Sequence, residues 1–138
     1  MKISARVENS KGSHKVSLRS DEREHSLMIP PKQDGFGSSA NGGELLFLAL
    51  ATCYCNNIYR EARKRGIDIQ EVVVEATGEF GNEGEPARKI SYRASVAAKA
   101  RRGQILDLMR HTDSVAEIQI TLRQSSPVVL SETDAREV

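Results

Sequence analysis

The sequence is poor in aromatic residues. They make up 4% of its 138 residues, tryptophan is absent, and hydrophobic residues of all kinds reach only 38%. A chain of this length is enough for one domain with its own core, but a low apolar content leaves that core thin. Burying an apolar surface against a second copy of the chain would make up the deficit. We therefore expect a single domain over residues 1–138 that forms a homodimer.

The chain also lacks an excess of either charge. Its 20 Lys and Arg residues nearly balance 19 Asp and Glu residues, which gives a formal net charge of +1. Two basic clusters, Arg60–Arg65 and Lys99–Arg102, lie at predicted ends of secondary structure elements. Cations there favour a helix C-terminus or a solvated turn, and no aromatic residues accompany them. Nucleic acid is therefore not an expected partner.

Signals for secretion, membrane insertion and disulfide bonding are missing as well. Residues Met1–Arg6 lack the apolar stretch of a signal peptide. The longest apolar run, Leu45–Ala51, is too short to cross a bilayer. Two cysteines only two positions apart do not form a disulfide framework. Together these absences predict a cytoplasmic, reducing setting with no membrane partner.

The first third of the chain shows the alternation of apolar and polar residues that is typical of half-buried strands. The predicted strands are Lys2–Glu8, Lys15–Arg19 and His25–Ile29, joined by polar turns into an antiparallel meander. The Gly- and Ser-rich stretch Lys32–Gly43 has no periodicity and is predicted to be a long loop.

A helix is predicted to begin after this loop. Asn41 and Glu44 have the spacing of a capping box, in which each side chain bonds the other residue's backbone N–H. The run Leu45–Cys55 is apolar almost all round, which predicts a helix buried on most sides. The helix then becomes charged as far as Arg65, and Gly66 is a suitable residue to end it.

The second half of the chain continues with two strands, a helix and a strand. Alternation predicts strands at Val72–Phe80 and Ile90–Ala98, and helical spacing runs for about five turns from Gly103 to Leu122. The apolar stretch Val128–Leu130 is predicted to be a last strand. Because strands and helices are segregated, we predict an α+β fold in which antiparallel sheets pack around two long helices.

Two stretches carry a resemblance to a known family. Residues 41–53, NGGELLFLALATC, resemble the opening helix of the OsmC family, where E-L-L and small apolar residues lead to a cysteine. Met109–Ile118 resembles the family's second helix, and the element order β-β-β-α-β-β-α-β matches over nearly the whole chain. The resemblance, which extends to organic hydroperoxide resistance proteins, implies an intertwined homodimer with central helices.

The same resemblance implies a two-cysteine peroxidase chemistry. The first cysteine attacks the O–O bond of a peroxide and becomes a sulfenic acid, and a second cysteine closes a disulfide that an external dithiol reduces. An arginine and a glutamate assist the first cysteine.

Carried over to this chain, the resemblance makes Cys53 the attacking cysteine. Glu44 stands one position after the usual glutamate, and Asp113 stands at the second-cysteine position, so the second cysteine is missing. An acid near Cys53 would disfavour the thiolate through like-charge repulsion. The chain has no arginine between Glu24 and Tyr59, so the expected helper cations are Arg19, Arg23 or Lys32.

Each candidate also has a purely structural interpretation. Cys53 on an apolar helix is equally typical of a small buried hydrophobic residue, and capping alone explains Glu44. Cys55 is no partner for Cys53, because two residues along a helix are separated by roughly 200° around its axis. A metal site would need further ligands such as His111 and Asp113. We expect neither a metal nor a cofactor.

The sequence leaves two functions open, beside a purely structural dimer that has neither of them. In the first, Cys53 reduces organic hydroperoxides and an external thiol reductant restores it. In the second, the homodimer has lost peroxidase activity and binds a small apolar or thiol-containing ligand between its helices.

Overall fold

Five strands and three helices follow one another along the chain in the computed structural model, which describes residues 1–138. All strand pairs are antiparallel, so the predicted α+β class is confirmed. The chain divides into two compact units, Met1–Leu46 and Phe47–Val138. The expectation of one domain over residues 1–138 stays a prediction.

The first unit contains the predicted three-stranded meander. Its strands are β1 (Ile3–Ser10), β2 (Ser13–Ser20) and β3 (Arg23–Leu27), in the spatial order β1-β2-β3. Strand β3 ends two residues before its predicted end at Ile29. The register pairs Val7 with Val16 and places Val16 opposite Leu27.

The loop after the meander packs against the first hairpin turn. Gly12 has a φ of 76°, which the tight turn between β1 and β2 requires, and its N–H donates to the Gly35 carbonyl at 2.8 Å. The Gly37 N–H donates to Asn9 Oδ1 at 3.1 Å. Hydrogen bonds to the meander thus hold the loop in place.

No side chain of Met1–Leu46 is buried, and every residue of β1 and β3 is exposed. A three-stranded sheet is stable only when one of its faces packs against other apolar groups. The residues of Met1–Leu46 do not meet this requirement among themselves.

The first helix, α1, runs from Gly42 to Arg65 as predicted. Its end forms a Schellman motif, in which Gly66 has a φ of 65° and the Ile67 N–H donates to the Ala62 carbonyl at 3.0 Å. The expectation that α1 is buried on most sides is wrong for this chain, since Leu48 is 55% exposed. The reason is that the second unit covers only one face of the helix.

The core of the second unit lies between α1 and a two-stranded hairpin. Strands β4 (Asp68–Glu79) and β5 (Arg88–Lys99) pair so that Val72 faces Val96 and Val74 faces Ala94. The inner face of this hairpin packs against a cluster of four buried residues, Tyr54, Ile58, Ala62 and Leu108. Three of the four belong to α1 and are spaced by four residues, which places them on one face of the helix.

The predicted second helix is two helices rather than one. Helix α2 spans Arg102–Ser114 and α3 spans Glu117–Arg123. The hydroxyls of Thr112 and Ser114 donate to helix carbonyls of Leu108 and His111, at 2.8 and 2.6 Å. Such bonds compete with the backbone ladder and favour a helix end. The backbone then turns extended at Ala116, with φ −76° and ψ 110°.

The predicted last strand does not form. Residues 124–138 contain no helix or strand, and Val128, Val129 and Leu130 are all exposed. A strand exists only where another strand accepts its backbone hydrogen bonds, and no strand of this chain pairs with these residues.

None of the three helices combines the length and the hydropathy needed to span a bilayer.

The core assignment leads to a stability prediction. We expect Leu108→Ala to lower the free energy of unfolding by about 2–5 kcal/mol, because it leaves a cavity in the buried cluster. Urea unfolding at a fixed protein concentration measures the change. Val128→Ala is the control, since this side chain is 97% exposed and its truncation costs about 0.5 kcal/mol or less. Equal losses in the two variants would contradict the assignment.

Candidate functional site

The Cys53 thiol lies beside the first turn of α3. It donates a hydrogen bond to Glu117, with Sγ 3.7 Å from Oε2. Asn57 lies one turn further along α1, on the same face as Cys53. Its Nδ2 lies 3.5 Å from Cys53 Sγ and 2.6 Å from Glu117 Oε2. A thiol, an amide and a carboxylate therefore meet at one point, and Cys53 is only half-buried there.

Arg60 brings a positive charge to this group. Its Nη1 lies 2.8 Å from Glu117 Oε1, and its Nε lies 2.8 Å from Glu61 Oε2. The hydrogen bonds from Arg60 and Asn57 lower the pKa of Glu117 to about 2. Glu117 is therefore ionised at neutral pH, and Arg60 offsets its charge.

Glu61 is a buried carboxylate next to this group, with 5% of its side chain exposed. Besides Arg60, it contacts Lys64 Nζ at 3.1 Å and His111 Nε2 at 2.9 Å. Hydrogen bonds from Arg60, His111 and Lys64, in this order of size, lower the pKa of Glu61 to about 2. Buried carboxylates need such partners in order to stay charged.

Glu44 occupies the capping box that the sequence predicts. The Glu44 N–H donates to Asn41 Oδ1 at 2.8 Å, and the Asn41 N–H donates to Glu44 Oε1 at 3.0 Å. Both halves of the motif are present, and this capping role is confirmed. A catalytic role for Glu44 stays a prediction.

Asp113 is not the acid that contacts Cys53. It accepts hydrogen bonds from Tyr92 and from Arg123, whose Nη2 lies 2.8 Å from Oδ1. Burial opposes the ionisation of Asp113, but these two donors outweigh it and lower the pKa. The correspondence of Asp113 with a second cysteine stays a prediction. The acid beside Sγ is Glu117, in the next helix.

Three residues of this group, Asn57, Arg60 and Glu117, are not among the site residues that the sequence predicts. Asn57 and Arg60 follow Cys53 at the spacing i, i+4, i+7 that marks one helix face, but Arg60 also fits the charged end of α1. The expected helper cations Arg19, Arg23 and Lys32 belong to the first unit. Glu117 lies 64 residues from Cys53 in sequence, and no local pattern links the two.

Cys55 takes no part in this group. Both cysteines are free, and Cys55 lines a separate shallow pocket with Ala51, Thr52, Asn56 and Val74. No three His, Cys, Asp or Glu side chains are arranged to hold a metal ion.

Comparison with known proteins identifies the family. The model of the family described as OsmC-like protein matches residues 35–131, which is more than half of the chain. The chain belongs to the OsmC-like family. No curated protein matches it.

Solved structures of OsmC-like proteins share its fold. An OsmC-like protein of Mycoplasma pneumoniae is 20% identical, with a TM-score of 0.60 over 88% of this chain and 86% of that one. An OsmC-like protein of Vibrio cholerae is 17% identical, with a TM-score of 0.62 over 88% and 93%. An organic hydroperoxide resistance protein of Elizabethkingia anophelis, with thiocyanate bound, is 17% identical, with a TM-score of 0.59 over 89% of each chain.

The lowered pKa of Glu61 predicts how the stability of this OsmC-like chain depends on pH. The pKa falls from an ordinary 4.5 to about 2 on folding. The stabilisation is therefore complete above about pH 4.5 and is lost as the pH falls towards 2. The difference in unfolding free energy between wild type and Glu61→Gln, measured in urea at several pH values, should shrink over this range. Val128→Ala, whose side chain is exposed and does not titrate, should show a constant difference. Parallel curves for both variants would contradict the pairing.

Proposed function

We propose that this OsmC-like protein reduces organic hydroperoxides with Cys53 as its only redox cysteine. The observation that carries the proposal is the position of Cys53 Sγ within hydrogen-bond distance of both Asn57 and Glu117, with Arg60 bonded to Glu117. The thiol has a hydrogen-bond acceptor, a neutral donor and a cation around it, which hold the sulfur in place and offset the charge that develops during attack on a peroxide. Membership of the OsmC-like family and the likeness to an organic hydroperoxide resistance protein support the same chemistry.

In the first step, Cys53 Sγ attacks one oxygen of the peroxide. The thiol first loses its proton to solvent. The sulfur–oxygen bond then forms as the O–O bond breaks, and the leaving oxygen takes a proton from water to become an alcohol. Glu117 does not carry the proton, because a carboxylate whose pKa is about 2 is too weak a base for this transfer. The products are a sulfenic acid on Cys53 and an alcohol.

Asn57 and Arg60 stabilise the charge that develops during this step. Both side chains carry N–H donors beside Sγ or beside the carboxylate that faces it. Donors held in place before the reaction lower its barrier, because they need no reorganisation when the oxygen becomes negative. Arg60 also offsets the repulsion between Glu117 and a thiolate.

An external thiol completes the cycle in this proposal. It displaces water from the sulfenic acid to give a mixed disulfide, and a second thiol then releases Cys53. Cys55 does not serve as the internal partner, because it lies on another face of α1. A reducing compartment such as the cytoplasm supplies thiols of this kind. Glu44 contributes indirectly by fixing the start of α1 through its capping box.

A second candidate function is the binding of a small apolar ligand without catalysis. Two observations favour it. A permanent negative charge on Glu117 opposes formation of the thiolate that attack requires. A shallow open groove of about 410 Å³ also runs along α1, α2 and β5, lined by Tyr54, Tyr92, Ala94, Leu106, Met109, Arg110 and Asp113.

Peroxide consumption separates the two functions. We expect wild type to consume cumene hydroperoxide in the presence of dihydrolipoamide or dithiothreitol, and Cys53→Ser to lose this activity, because serine is a far weaker nucleophile. Cys55→Ser is the matched control and should keep the wild-type rate. Equal rates in wild type and Cys53→Ser would rule out the enzyme and leave the binding function.

The exposed surfaces of both units support a homodimer. The meander of the first unit has no buried side chain. On the second unit, Leu48 and Tyr59 of α1 are exposed, as is Val73 on the outer face of β4. Apolar groups of this number on a small chain are typical of a subunit interface. The resemblance to OsmC-like proteins implies that a second copy of the chain covers these apolar groups.

Sedimentation equilibrium tests the homodimer. We expect a mass of about twice 15.2 kDa, and Leu48→Glu should shift the protein towards monomer by placing a charge in the interface. Val128→Glu in the exposed tail is the control and should leave the mass unchanged. A wild-type mass of one chain at micromolar concentration would contradict the dimer.

A further inference from the structure

The buried carboxylate of Glu61 has no role in the proposed reaction. It forms no hydrogen bond with Cys53 or Asn57, yet only 5% of its side chain is exposed. Burying a charge is costly unless partners compensate it fully. The burial of the charged Glu61 side chain, directly after Arg60 in the sequence, therefore requires an explanation.

Its partners tie Glu61 to two helices. Oε2 accepts from Arg60 Nε at 2.8 Å and from Lys64 Nζ at 3.1 Å, both on α1. Oε1 lies 2.9 Å from His111 Nε2 on α2. The carboxylate therefore has a fixed position, set by groups on both sides of it.

Arg60 lies between this fixed carboxylate and Glu117. Neighbouring residues on a helix point about 100° apart, so the Arg60 side chain has to turn towards Glu61 in order to bond it. With Nε held by Glu61, the rigid guanidinium fork directs Nη1 at Glu117 Oε1, 2.8 Å away. The contact with Glu61 thus selects one conformation of a side chain that otherwise has many.

We propose that Glu61 is a positioning residue that acts on Cys53 through Arg60. It holds the guanidinium against Glu117 and so limits the negative charge that Glu117 presents to Sγ. The inference rests on the proposed function only in taking Cys53 as the reactive group. When Glu61 is removed, Arg60 becomes mobile, Glu117 loses its partner for part of the time, and the thiolate of Cys53 is disfavoured.

Alkylation of Cys53 by iodoacetamide tests this chain of contacts. A Cys55→Ser background makes the reaction report on Cys53 alone, and the second-order rate is measured at one fixed pH. Glu61→Gln should slow alkylation about threefold, the size of effect that a half-exposed ion pair supports. A direct effect of removing one negative charge would accelerate alkylation instead, so a faster or unchanged rate overturns the proposal.

A double-mutant cycle tests whether Arg60 carries the effect. In an Arg60→Gln background, Glu61→Gln should cause no further slowing, because the intermediary is gone. The same slowing in both backgrounds would overturn the proposal. Lys64→Gln is the matched control: it removes a partner of Glu61 that does not contact Glu117, and it should leave the rate unchanged.

Glu61→Asp keeps the test decisive if Glu61→Gln does not fold, as judged by circular dichroism. Aspartate preserves the charge, but it is one methylene too short to reach Arg60 and His111 together. Slower alkylation in this variant supports positioning, and a wild-type rate overturns it. Peroxide consumption is measured separately, so its absence alongside the expected alkylation pattern would contradict the proposed function alone.

Discussion

The four-residue spacing of Leu50, Tyr54, Ile58 and Ala62 along α1 is the constraint on which the rest of the second unit depends. These side chains are buried, and the last three pack with Leu108 against the inner face of the β4–β5 hairpin. Burial of this face fixes the rotation of α1 about its axis. It therefore also fixes the direction in which the neighbouring face of α1 points. Cys53 and its partners on α1 lie on that neighbouring face.

The break between α2 and α3 determines what faces Cys53. One continuous helix from Gly103 to Leu122 would keep a single axis direction. The extended backbone at Ala116 instead lets α3 begin as a separate helix with its own direction. Glu117 then stands in the first turn of α3, where a carboxylate is favoured by the helix dipole. Glu117 thereby places a carboxylate beside the thiol, and Arg60 offsets its negative charge.

The charges of the site partly balance one another. Glu61 and Glu117 are both ionised, and Arg60 bonds both of them. A guanidinium suits this position because its donors point in fixed, separate directions, which an ammonium cannot reproduce. The network joins α1, α2 and α3, so the same contacts serve the packing of the helices and the environment of the thiol.

The sequence predicted the elements whose signals are local. The alternation of the strands, the capping box at Asn41 and Glu44, and the stop at Gly66 all depend on residues within a few positions of one another. Two of the predictions that failed depended on distant partners. Val128–Leu130 has the composition of a strand, but no strand of this chain pairs with it. Leu48 is an apolar residue typical of a core, but its side chain is 55% exposed.

The sequence by itself therefore determined the α+β class, the position of Cys53 on a long capped helix, and the family resemblance, because each follows from periodicity and motif spacing. Only the tertiary structure decided which acid faces the thiol. Glu117 reaches Cys53 across 64 residues, whereas Asn57 and Arg60 share one face of α1 with Cys53 through their spacing. The physical reason is that a contact between separate helices arises when they pack, and no spacing along the chain encodes it.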